Sequence, residues 1–308
     1  MICIIALVVF GILGLFSLSY RQLAKEAFGC VFRRLVLRKC QSRLDQRARS
    51  QITGKLMKFS KPAAKFTYKY FRIIEFIFII LLVWSIVQTG VSGYNFYLYG
   101  NCNGPNEDGF CIFDPTGSNE QISQLNTLTC SDESVDKDLS IENINLSLFP
   151  VLNAGLKGEE NVVVFIGCYE CQYTKDTYPI IKELIEKENP LVIFAHLPIN
   201  HALEDFTEYG NCIYEKEGPE KLLEFSDYMF SNQVDTCTID TCSEAITKIS
   251  LNFEEYAECV NSTKSLELNK LQSEELNKIG VYGTPTIFIN GELFVGPKPY
   301  RVYKRALK

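Results

Sequence analysis

The chain has 308 residues, 46% hydrophobic and 22% charged, with a mean hydropathy of +0.00. This balance excludes a disordered or collagen-like chain and a polytopic transporter, while leaving room for one or two membrane spans. The net charge of -6 hides a split: residues 21–72 carry 15 lysines and arginines against two acids, about +13, which leaves 16 bases and 35 acids elsewhere, about -19. Such asymmetry points to nucleic acid or to a membrane.

Met1 to Tyr20 carries no charged side chain and has about the 20 residues that a transmembrane helix needs. A cleaved signal peptide is the alternative, but its charge should precede the apolar stretch, and here it follows from Arg21. A second candidate span runs from Ile73 to Val91, with Glu75 near one end and Tyr94, Phe96, Tyr97 and Tyr99 beyond it as an interfacial belt. The basic loop between them, residues 21–72, then lies in the cytoplasm and both termini outside. Contact with anionic lipid accounts for its charge without a nucleic-acid partner.

Three of the 12 cysteines lie in the first 40 residues, and nine lie between Cys102 and Cys259. On this topology those nine occupy an oxidising compartment. Residues 100–145, rich in Asn, Ser, Asp and Gly, read as an extracytoplasmic tether with little core. Cys102 and Cys111 are close enough in sequence to close a small loop there. Asn145-Leu-Ser147 and Asn261-Ser-Thr263 match the short glycosylation pattern.

The pattern changes after Asn145. Val162-Val-Val-Phe-Ile166 is an apolar run of the kind found in a buried strand, Thr174 to Glu188 has helical spacing, and Leu191 to Ala195 is a second apolar run. This is a βαβ unit. Residues 202–279 read as helical. Thr286–Ile289 and Glu292–Val295 read as strands around Asn290-Gly291, a strong hairpin signal, and Pro299 to Leu307 as a closing helix.

Cys168-Tyr-Glu-Cys171 stands directly after the first strand. A CxxC beside a βαβ pattern reads as a redox pair. A cysteine at a helix N-terminus gains a stabilised thiolate, and one a turn later closes the disulfide. Cys168 is therefore the nucleophile and Cys171 the resolving thiol. An inert disulfide and half a zinc site are the alternatives; a four-cysteine zinc site needs a second close pair, and Cys237 and Cys242 have four residues between them and no histidine near. No metal and no cofactor are expected. Thr284-Pro285 strengthens the redox reading, because a thioredoxin fold sets a cis-proline opposite the CxxC and leaves the preceding backbone free to bond an extended substrate; a cis X–Pro bond is uncommon by itself, so the dipeptide alone does not claim it. His196 and His201, the only histidines, are expected to be buried or capping.

Phe165-Ile-Gly-Cys-Tyr-Glu-Cys171, His196-Leu-Pro-Ile-Asn-His201 and Gly280-Val-Tyr-Gly-Thr-Pro-Thr-Ile-Phe-Ile-Asn-Gly291 together resemble the landmarks of the DsbA-like thiol-disulfide oxidoreductases. The resemblance covers about residues 146 to 308. It implies an α/β thioredoxin-like fold with an inserted helical subdomain, here preceded by the membrane hairpin. It implies oxidation or exchange of cysteines in exported polypeptides, with a quinone-linked membrane thiol oxidase as redox partner. Cys168, Cys171 and cis Pro285 would be catalytic, with Thr284, Tyr169 and Glu170 contacting substrate. It also suggests a Cys212–Cys259 disulfide in the insertion. With Cys102–Cys111 and Cys237–Cys242 favoured by proximity, Cys130 is left over.

Two departures bear on direction. Gln172 follows the second cysteine where the family often has proline, and Glu170 stands where strong oxidants often have His or Pro. A carboxylate there disfavours the thiolate and makes the disulfide less oxidising. A reductase or isomerase, or a peptide-binding chaperone with a structural CxxC, are the competing functions.

Overall fold

The computed structural model describes residues 60–105, 107, 109–124, 139–142, 144–155, 161–198, 205–232 and 239–307, with 29, 57 and 58 before them. The chain forms two compact units, residues 1–90 and 91–308. Helix α1 is Lys61–Tyr99. Among the described residues no helix is long and apolar enough to cross a membrane, so the expected hairpin lacks their support. Met1–Tyr20 lies outside them, as do the side chains of Ile74, Glu75, Phe78 and Ile79 in the second expected span.

The second unit is built on a five-stranded mixed sheet. Its strands are β2 (Val151–Ala154), β3 (Val162–Gly167), β4 (Leu191–His196), β6 (Thr286–Ile289) and β7 (Glu292–Val295), in the order β2-β4-β3-β6-β7. The central strands β3 and β4 are parallel, joined by helix α2 (Gln172–Glu188), and β6 pairs antiparallel with β3. Asn290 and Gly291 have φ of 50° and 87°, the double positive turn that matches strand twist.

Side-chain alternation divides the apolar runs between two cores. Val163, Phe165, Val192 and Phe194 pack with Ile181, Leu184, Phe225 and Met229. Val164, Ile166, Ala195 and Phe288 pack on the other face with Leu276 and Ile279. Among the described residues, five helices separate β4 from the closing strands: α3 (Asp205–Glu217), α4 (Pro219–Ser231), α5 (Ile239–Lys248), α6 (Phe253–Val260) and α7 (Thr263–Ile279). Helix α8 (Tyr300–Ala306) ends the chain. Cys212 on α3 is bonded to Cys259 on α6.

The sequence pattern does not reveal β2. It is a bulged strand with one neighbour, β4, and only Leu152 is fully buried on it. The expected tether also differs from the structure where it is described. Cys102 is bonded to Cys111, and both are buried. The Asp114 carboxylate accepts bonds from Thr116 Oγ1, Ser118 N and Oγ, and Asn119 N. Burial raises its pKa, but these bonds outweigh that and hold the carboxyl below its ordinary value. The buried Lys298 donates its Nζ to Asn119 O at 2.7 Å, so the segment is fastened to the domain. It then forms strand β1 (Ser123–Gln124), which pairs antiparallel with β5 (Gly283–Thr284).

Candidate active site

The site lies where β3 meets α2. Gly167 closes the strand, and a Cβ there would stand 2.6 Å from Thr174 Cγ2, so only glycine lets the chain turn so close to the helix. Cys168 N donates to Thr174 Oγ1 at 3.3 Å. Cys168 and Cys171 are joined as a disulfide. The helix begins at Gln172 with Cys171 as its cap residue, so Cys171, and not Cys168 as expected, stands at the helix end. Thr284–Pro285 is cis, and Thr284 Oγ1 donates to Cys171 Sγ at 3.1 Å. Cys168, Cys171, Thr284 and Pro285 are thus brought together.

Tyr169, expected to contact substrate, is instead buried in the core. It is 1% exposed, bonded through its hydroxyl to Ser226 Oγ at 3.0 Å, and set among Phe194, Phe225 and Phe230. Burial pushes its phenol above the ordinary range, and the Ser226 bond offsets part of that. Tyr169 is a core anchor that holds the turn between the cysteines.

Glu170 is not a surface contact either. Its side chain is 6% exposed, and its Oε2 lies 3.7 Å from His196 Nε2 and 2.7 Å from Cys168 Sγ. His196 is buried, stacks on Tyr169 with centroids 4.8 Å apart, and shares a 2.7 Å bond between Nδ1 and Thr207 Oγ1. Glu170 Oε1 and His196 Nε2 have no hydrogen-bond partner among the described residues. Sequence reasoning left His196 out of the site. The signal was the strand alignment: β3 and β4 run parallel with Gly167 opposite His196, which sets the histidine beside the start of the CxxC.

The edge beside the cis-proline is covered by the chain itself. Ser123 is opposite Thr284 and Gln124 opposite Gly283. A Cβ on Gly283 would meet Ser123 O and Ile122 Cδ1 at 2.8 Å. Cys168 and Thr284 are 0% exposed. Of the other expected pairs, Cys242 is buried, while Cys237, Cys130 and His201 lie outside the described residues.

Residues 160–308 match the family model described as Thioredoxin. No match is found among curated proteins. Among solved structures the chain is similar to the thiol-disulfide exchange protein alpha-DsbA2 from Wolbachia pipientis, at 20% identity and a TM-score of 0.47, over 52% of this chain and 85% of that one. It is also similar to oxidised BdbD from Bacillus subtilis, at 17% identity and 0.45, over 52% and 90%. For the catalytic domain of Proteus mirabilis ScsC the values are 18% and 0.44, over 56% and 92%. Residues 160–308 therefore form a thioredoxin-like α/β domain of helices and strands, and its strands complete a mixed sheet with β2.

Proposed function

We propose that the chain is a membrane-anchored thiol-disulfide oxidoreductase that acts on cysteines of exported polypeptides. The observation that carries this reading is the Cys168–Cys171 disulfide at the start of α2, with Thr284 Oγ1 on Cys171 Sγ and a cis peptide bond at Pro285. A substrate thiolate attacks Cys168 Sγ, and the bonding pair leaves on Cys171 Sγ, where the Thr284 hydroxyl stabilises the developing charge. A second substrate thiolate then attacks the substrate sulfur of the mixed disulfide and releases Cys168. The substrate dithiol loses two electrons and the CxxC gains them. Regeneration passes them to an oxidant, for which a quinone-linked membrane thiol oxidase is the proposed partner.

The anchor is argued from the charge pattern of the sequence and from the surface of α1, not from a span among the described residues: Ile73, Phe76, Ile77, Ile80, Trp84 and Ile86 are exposed on it. An apolar row of that length calls for a non-aqueous partner, and the basic residues before it suit anionic lipid on the cytoplasmic side. The catalytic domain is then extracytoplasmic. Glu170 against Cys168 Sγ favours a second reading, in which a disfavoured thiolate makes the pair a reductase or isomerase.

The test uses the full chain in lipid. Insulin reduction and oxidation of a dithiol peptide are measured beside Cys168→Ser, together with the reduction potential of the CxxC. Activity lost in Cys168→Ser supports the oxidoreductase, and the potential separates oxidase from reductase. Neither activity in the wild type would leave a peptide-binding chaperone as the better description.

A further inference from the structure

Thiol-disulfide exchange at Cys168 and Cys171 makes no use of Glu170 Oε1 or His196 Nε2, two buried polar atoms without a hydrogen-bond partner among the described residues. A buried polar atom left in that state is costly. Donor atoms of Cys168, Glu170 and His196 all lie within 4.8 Å of one another. Cys171 Sγ is bonded to Cys168 Sγ, so it borders the same space. Two thiols, an imidazole and a carboxylate therefore converge from the turn after β3 and the end of β4.

We propose that, once the Cys168–Cys171 disulfide is reduced, these four side chains bind one thiophilic divalent cation of the zinc type. The donor set is what such an ion takes: thiolate sulfur, imidazole nitrogen and carboxylate oxygen in a four-coordinate site. The imidazole is already oriented for it. Nδ1 is engaged with Thr207 Oγ1 at 2.7 Å, and when Nδ1 carries the proton and donates it there, Nε2 keeps its lone pair on the side of Glu170. Stacking on Tyr169 fixes the ring plane.

Binding is gated by redox state. In the disulfide each sulfur is already bonded to the other and is a poor ligand. Reduction adds two electrons and two protons to give two thiols. The cation then displaces both thiol protons into solvent and two metal–sulfur bonds form, with no change in the metal's oxidation state. A bound ion keeps the pair reduced and removes it from exchange until the ion leaves.

Cobalt(II) is the probe, added at up to one equivalent to the full chain after reduction with a phosphine and removal of the reductant. The expected result is tetrahedral visible bands with thiolate-to-metal charge transfer, reversed by Zn²⁺. The oxidised chain and Cys168→Ser/Cys171→Ser lack that component, and Glu170→Gln and His196→Gln each weaken binding by about tenfold or more. X-ray absorption on the zinc-loaded wild type needs no variant: two sulfur and two nitrogen or oxygen scatterers are expected. Wild-type affinity in either Glu170→Gln or His196→Gln overturns the proposal, because the ion then sits on thiols alone. A four-sulfur shell overturns it as well, as does an unchanged spectrum in the double serine variant.

Discussion

The disulfides Cys168–Cys171 and Cys212–Cys259 lie in one domain but in opposite surroundings. The first spans three residues at a strand–helix junction, with a carboxylate, a histidine and a threonine hydroxyl around its sulfurs. The second spans 47 residues and ties two helices of the insertion, next to apolar side chains such as Ile213 and Tyr256. A short loop gains little from cross-linking, whereas a long one removes much of the unfolded chain's freedom. Polar neighbours that act differently on thiol and thiolate tune reactivity; apolar neighbours leave the bond inert. Loop length and neighbours therefore divide the labour between two bonds of the same chemistry.

The sharpest way to break that division is to exchange the outcomes. Cys168→Ser should abolish insulin reduction, by about a thousandfold or more, since a hydroxyl cannot carry the exchange, while the urea midpoint stays near the wild-type value. Cys212→Ser/Cys259→Ser should do the reverse. Chain-entropy arithmetic for a loop of this length gives a stability loss of about 4 kcal/mol, seen in urea unfolding, with the activity of the folded fraction retained. A loss of activity without a loss of stability in the second variant would erase the distinction.

Smaller changes sharpen it. Glu170→Gln removes a negative charge 2.7 Å from Cys168 Sγ, which stabilises the reduced pair. The reduction potential should rise by about 30 mV for each 1.4 kcal/mol gained, measured by equilibration with glutathione. Thr284→Val removes the hydroxyl on Cys171 Sγ and should slow exchange about fivefold, the equivalent of about 1 kcal/mol, in stopped-flow reduction by a thiol. Asp114→Asn tests the segment that precedes β1 and should cost about 1 kcal/mol in urea unfolding. Its carboxyl is held below the ordinary value, so this contribution is present above the unfolded pKa of about 3.9. It disappears as the pH falls through the folded pKa.

Strong local patterns made much of the fold legible. The apolar runs at Val162 and Leu191, the Asn290-Gly291 turn and the CxxC each carry their meaning within a few residues. Features that depend on distant partners did not. Val151–Ala154 has one fully buried side chain and no periodicity to read. The start of α2 at Gln172 depends on packing around Thr174 as well as on propensity. Whether the pair between the cysteines faces in or out is undetermined by its composition: Tyr169 and Glu170 both turn inward because an aromatic cluster and His196 wait there. The β1–β5 pairing joins residues about 160 apart with two residues on each side, too little for any pattern to announce.

On the proposed function, that pairing would make Ser123–Gln124 a tethered competitor. An extended substrate that bonds the Thr284 edge would have to take the place of a strand that belongs to the same molecule and sits at an effective concentration on the order of millimolar. Such competition cannot be diluted away, and it is independent of how much protein is present. It acts on the fraction of molecules open to substrate, so it raises the apparent dissociation constant and leaves the exchange step itself untouched. Loosening the strand should therefore lower KM and spare kcat.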